Sequence, residues 1–111
     1  MSELPVEIEV QAVQQMRANG EKFLLLDVRN PNEYATAKID GSQLIPMNEI
    51  GNRLSELEPY RHERVVVHCH HGGRSLRVTS FLQQQGFTQV QNMSGGIDAW
   101  SQAIDAKVPR Y

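Results

Sequence analysis

The chain has 111 residues, a formal net charge of -2 and a single cysteine. That length supports one hydrophobic core, so a single domain over residues 1–111 is predicted. Composition is that of a soluble globular chain; no basic run points to nucleic acid or an anionic membrane, and the apolar runs Phe23–Leu26 and Val65–Val67 are too short to span a bilayer.

The opening segment Met1–Glu7 has neither a basic start nor an apolar stretch, so no secretory leader is predicted. One cysteine cannot close an intrachain disulfide, which fits a reducing compartment and predicts a cytoplasmic protein.

Val6–Ile8 reads as a short first strand. Val10, Val13 and Met16 recur at helical spacing, and Gly20 marks the stop. Phe23-Leu24-Leu25-Leu26, ending in Asp27, suits a strand buried on both faces. Asn30 and Pro31 predict a cap and first residue of a short helix. Gln43-Leu44-Ile45 is a third strand. Ile50, Leu54 and Leu57 fit one face of a helix closed by Pro59. Val65-Val66-Val67 is a strand of β-branched residues, running straight into His68-Cys69-His70-His71-Gly72-Gly73-Arg74-Ser75. Val78, Phe81 and Leu82 share a face of the next helix, with Ser75 as its predicted N-cap and Gly86 as its stop. Val90-Gln91-Asn92 is a last strand, and Gly95-Gly96 turns tightly into a closing helix that contains Trp100. Strands alternating with helices predict an α/β fold with a mainly parallel sheet. Ligands of such sheets sit at the carboxyl ends of the strands, where Asp27 and Cys69 fall.

The chemistry concentrates at Cys69. A strand ends there, four residues turn, and Arg74-Ser75 opens a helix. Gly72 and Gly73 allow backbone conformations closed to other residues, so that successive N–H groups can point inward as an anion nest. The helix N-terminus adds unpaired donors and partial positive charge. Beside such groups a thiol pKa falls from ~8.5 to roughly 3.5–7.5. The loop would stabilise a thiolate, and equally the terminal anion of a persulfide.

These residues resemble the rhodanese family. Asp27-Val28-Arg29 followed by Glu33-Tyr34 is similar to the family's first signature, and Ile39-Asp40-Gly41-Ser42 through Ile45-Pro46 to the segment after it, with Lys38 where His is usual. Cys69-x-x-Gly72-x-Arg74-Ser75 resembles the active-site loop, and Gly95-Gly96-Ile97-Asp98-Ala99-Trp100 the closing element. The resemblance implies the rhodanese-like fold, a central sheet of about five strands with helices on both faces. It implies sulfur transfer from a donor such as thiosulfate to a thiophilic acceptor through a persulfide on Cys69. His70, His71, Gly72, Gly73, Arg74 and Ser75 would form the anion cradle. Asp27 and Arg29 match a charged pair at the pocket edge, read first as structural, with Asp27 reaching toward the loop. No cofactor is implied. The partners are a small-molecule donor and an acceptor, with a cysteine desulfurase or a sulfur-carrier protein as further candidates. Ile104-Asp105 through Val108-Pro109-Arg110-Tyr111 resembles the end of rhodanese domains fused to ubiquitin-activating-like adenylyltransferases.

Two rival functions follow from the same residues. Phosphatases and arsenate reductases of the Cys-loop-Arg type also use a thiolate, but phosphatases place five residues between Cys and Arg, against four here. A phosphate also needs a wider ring of donors. A non-catalytic rhodanese-like interaction module often lacks the cysteine that this chain retains. The His68–His71 run is not expected to bind a metal, because adjacent side chains diverge and no second ligand pair exists.

Overall fold

The computed structural model describes residues 4–111. The leader reading therefore falls partly on residues 1–3, outside the described residues. Among the described residues, no helix is long and apolar enough to cross a membrane.

Among the described residues, five strands form one sheet: β1 (Glu7–Ile8), β2 (Leu24–Asp27), β3 (Gln43–Leu44), β4 (Val65–His68) and β5 (Val90–Met93), in the order β1-β5-β4-β2-β3. Every pairing is parallel. Among the described residues, the α-helices are α1 (Val10–Ala18), α2 (Pro31–Thr36), α3 (Gly73–Gln84) and α4 (Gly96–Ala103).

Strand alternation explains the two cores. Leu24, Leu26, Val65 and Val67 point to one face and pack with Val78 and Leu82 of α3 and with Leu57. Leu25 and Val66 point to the other and pack with Val10, Val13 and Met16 of α1 and with Ile97 and Trp100 of α4. A sheet covered on both faces needs continuous apolar strands, which is why β2 and β4 read as unbroken hydrophobic runs. Truncating a fully buried member such as Leu26 to Ala costs about 2–5 kcal/mol.

Register places β2 and β4 side by side, with Leu24 opposite Val65 and Asp27 opposite His68. The carboxyl ends of β2, β4 and β5 thus open on one edge of the sheet, and Cys69 follows the central strand there.

One predicted element differs. The segment around Ile50, Leu54 and Leu57 forms tight 3₁₀ turns over Met47–Glu49 and Gly51–Tyr60, kinked at Arg53 (φ -116°, ψ 17°). Pro59 lies inside the last turn and does not close the segment from outside. Short 3₁₀ turns tolerate a residue that lacks an N–H near their ends. Ile50 and Leu57 are still buried, as their spacing predicts.

Candidate active site

β4 ends at His68 and α3 begins at Gly73. Between them Cys69 is 1% exposed. Gly72 has φ +113°, a left-handed conformation that suits glycine, and it caps α3. That conformation turns the Gly72 N–H onto Cys69 Sγ at 3.1 Å. The Ser75 hydroxyl lies 3.3 Å from the same sulfur. Burial acts to raise the thiol pKa, but the Ser75 hydroxyl and the backbone N–H groups of Ser75, Gly72 and His71 outweigh it, and the net shift is downward.

The predicted cap is corrected. Ser75 is not the N-cap of α3, because Gly72 holds that position and the helix starts two residues before Ser75. The Ser75 side chain turns inward, within 3.2 Å of the Gly72 carbonyl and 2.5 Å of Asn92 Oδ1. The two loop glycines also differ. Gly73 has no positive φ, and a Cβ added there meets nothing within 4 Å. Only Gly72 needs to be glycine for its conformation.

Arg74 projects to α2. Its Nη1 donates to Glu33 Oε1 at 2.6 Å and its Nη2 to Oε2 at 3.0 Å. The fork holds the Glu33 carboxyl down at about 2, with help from the Asn30 N–H and from Tyr111. Cys69 and Arg74 still feel each other's charge.

The His70 ring stacks between His71 and Tyr111, with both centroids 3.9 Å away. Burial, then the neighbouring His71, pushes the His70 pKa down. His71 is exposed, and its Nε2 lies 3.9 Å from Asp98 Oδ2. Ligand atoms of His70, His71 and Asp98 lie within 4.8 Å of one another, but Asp98 is already engaged by Arg110 at 3.0 Å.

The back of the loop is held by α4. Ile97 N–H donates to the Cys69 carbonyl at 2.9 Å and Asp98 N–H to the His70 carbonyl at 3.1 Å. Unpaired N–H groups of a helix start thus satisfy the carbonyls of the loop. A Cβ on Gly96 would come within 2.4 Å of the Cys69 carbonyl oxygen. The close approach explains this glycine, beyond the tight turn predicted from Gly95-Gly96.

Asp27 and Arg29 are fully buried and do not lie at a pocket edge. Asp27 does not bond to the loop. Its carboxylate accepts from Arg29 Nε (2.9 and 3.1 Å), Nη2 (2.6 Å) and backbone N–H (3.1 Å). The remaining Arg29 donors reach the Ala37 carbonyl at 2.7 Å, the Glu33 carbonyl at 3.3 Å and Tyr111 Oη at 3.0 Å. A buried guanidinium needs each of these partners. His68 Nε2 lies 3.9 Å from Asp27 Oδ2, and burial pushes the His68 pKa down against the pull of that carboxylate.

Asn92 and Tyr111 were not singled out as site residues in sequence. Tyr111 Oη accepts from Arg29 and donates to Glu33 Oε2 at 2.8 Å, joining the buried pair to the Arg74 fork. The only signal for Tyr111 was the likeness of its tail. Asn92 closes the predicted strand Val90-Gln91-Asn92, and nothing in its sequence neighbours marks it.

Residues 9–103 match the Rhodanese-like domain family. A protein named Sulfurtransferase from Allochromatium vinosum is 39% identical over 95 residues, covering 86% of this chain and 87% of that one. An adenylyltransferase and sulfurtransferase of Zea mays is 35% identical over 98 residues, 84% of this chain, but the chain spans only 21% of its length. The crystal structure of the Staphylococcus saprophyticus protein SSP1007 superposes with a TM-score of 0.79 at 29% identity, covering 90% of this chain and 97% of that one. The chain therefore belongs to the family of rhodanese-like domains, and its relatives of similar length include a sulfurtransferase.

Proposed function

We propose that residues 1–111 act as a single-domain sulfurtransferase that carries sulfane sulfur on Cys69. The observation that carries this reading is the Gly72 N–H at 3.1 Å from Cys69 Sγ, on a loop whose fold turns donors inward. In the first half-reaction the Cys69 thiolate attacks the outer sulfur of thiosulfate. A Cys–S–S bond forms, the sulfur–sulfur bond of thiosulfate breaks, and sulfite leaves with the electron pair. In the second, a thiophilic acceptor attacks the terminal sulfur, and Cys69 departs as the thiolate. The backbone donors stabilise the anion at each stage without reorganising.

His70 and His71 would form the mouth, Gly72 and Ser75 the donors, and Gly73 and Arg74 the frame, with Asp27 and Arg29 supporting from beneath. The fork of Arg74 on Glu33 counts against a phosphate clamp, which needs both guanidinium ends free for oxygens. A small-molecule donor and acceptor fit the reading, as does a cysteine desulfurase or a sulfur-carrier protein, in a reducing setting such as the cytoplasm.

The test is transfer from thiosulfate to cyanide, read as thiocyanate formed. Wild type should turn over, Cys69→Ser should not, and aryl phosphates should stay intact. Phosphate hydrolysis as fast as sulfur transfer would overturn the reading.

A further inference from the structure

The Ser75 hydroxyl carries one proton and faces three acceptors: Asn92 Oδ1 at 2.5 Å, the Gly72 carbonyl at 3.2 Å and Cys69 Sγ at 3.3 Å. Only one of them can receive it at a time. Asn92 is buried on β5, and its amide is oriented by its other contacts. Nδ2 faces the Glu7 carboxylate, at 3.1 and 3.0 Å, and the Gly72 carbonyl at 3.2 Å. All of these are acceptors, so they fix the NH₂ on that side and leave Oδ1 toward Ser75. Glu7 lies opposite Asn92 in the β1–β5 register, which holds the arrangement in the sheet.

We infer that Asn92 is a positioning residue of the active site, whose carboxamide oxygen competes with the Cys69 sulfur for the Ser75 proton and thereby favours the uncharged states of that sulfur. This deepens the sulfurtransferase reading and rests on Cys69 being the nucleophile. In the thiol state, S–H donates to Ser75 Oγ and Ser75 O–H donates to Asn92 Oδ1, so every group is paired. When the thiol proton leaves to water, the hydroxyl must turn from Asn92 to the thiolate. Asn92 Oδ1 is then buried without a donor, which is costly. Once a persulfide forms, the inner sulfur is again uncharged and a weak acceptor, and the hydroxyl returns to Asn92. The residue thus withholds one donor from the thiolate, which makes Cys69 a stronger nucleophile toward the donor and a poorer leaving group in discharge.

The charged groups on the packed elements are Glu7 of β1, the Asp27–Arg29 pair at the end of β2, Glu33 of α2, Arg74 of α3 and Asp98 of α4. The end of β4 carries His68, and the loop itself carries His70 and His71. None of these is altered in the variants below.

The experiment uses Asn92→Leu, close in shape but with no acceptor, and Asn92→Ala as a second variant, each with and without Ser75→Ala. The single cysteine lets its ultraviolet thiolate absorbance be titrated without any turnover. Freed from Asn92, Ser75 should serve the thiolate, and the Cys69 pKa should fall by about one unit, roughly tenfold in ionisation constant. In the Ser75→Ala background the same substitutions should produce no fall. With the thiolate fully formed, loading from thiosulfate should slow about threefold while discharge to cyanide speeds by a similar factor.

A residue that merely braces the loop would give the opposite sign, since a loosened cradle raises the pKa and slows both steps. A rise, no change, or an equal fall without Ser75 overturns the inference. If the pKa falls as stated but no sulfur is transferred, the role of Asn92 stands and the sulfurtransferase reading is what fails.

Discussion

Arg74 sets both ends of its guanidinium on Glu33, at 2.6 and 3.0 Å, and so braces α3 against α2. The hydrogen-bond donors to Cys69 Sγ are therefore backbone N–H groups and the Ser75 hydroxyl, with the Arg74 charge acting at longer range.

Arg74→Ala should raise the Cys69 pKa, because a positive charge that favours the thiolate is gone. The value should stay below ~8.5, that of a free thiol, since the Gly72 and Ser75 donors remain. Glu33 should return toward the ordinary carboxylate range, and stability should drop by ~1 kcal/mol, discounted because the pair is partly exposed. Thiolate titration and urea unfolding check both numbers. A Cys69 pKa at the free-thiol value in this variant would show that the side chain, and not the backbone, makes the cradle.

The loop and closing-helix glycines should separate cleanly. Gly73→Ala should fold and react nearly as wild type, because the conformation is ordinary and the space is open. Gly72→Val should lose the inward N–H, because a β-branched residue rejects φ +113°. Gly96→Ala should displace the loop itself, since its Cβ would meet the Cys69 and His70 carbonyls at 2.4 and 2.5 Å. Alkylation rate of Cys69 against pH, together with urea midpoints, distinguishes the three. Equal behaviour of Gly72→Val and Gly73→Ala would contradict the geometry.

Stability should fall on acidification in two windows. His68 is buried and held neutral, with a folded pKa below its unfolded one. Below pH ~6.5 the unfolded chain binds the extra proton, so stability falls as pH drops through that value. Glu33 is the lowered-carboxylate case: its contribution is full above its usual 4.5 and lost as pH falls toward about 2. Urea midpoints across this range should show the upper limb flatten in His68→Leu and the lower limb flatten in Glu33→Gln. An unchanged upper limb in His68→Leu would mean that folding leaves the His68 pKa where it is in the unfolded chain.

Much of the fold was legible because its signals are local. The unbroken apolar runs at Leu24–Leu26 and Val65–Val67 mark strands covered on both faces, and Asn30-Pro31 marks the start of α2 as found. The loop was legible for the same reason, since Cys69, Gly72 and the start of α3 are adjacent in sequence. What escaped was set by contacts between distant segments. Ser75 looks like a cap, but Gly72 takes the cap, and Asn92, 17 residues on, draws the hydroxyl inward. Asp27 looks as if it should reach the loop, but Arg29, buried beside it, takes its carboxylate. Tyr111 meets Arg29 across 82 residues of chain, and no periodicity or spacing reports such a pairing.

Intact-mass measurement after incubation with thiosulfate tests the central claim most directly. Wild type should gain the mass of one sulfur atom, the gain should disappear on adding cyanide, and Cys69→Ser should show no gain at all. A sulfur adduct that persists in Cys69→Ser, or a wild type that never gains mass, would contradict the assignment of Cys69 as the sulfur carrier.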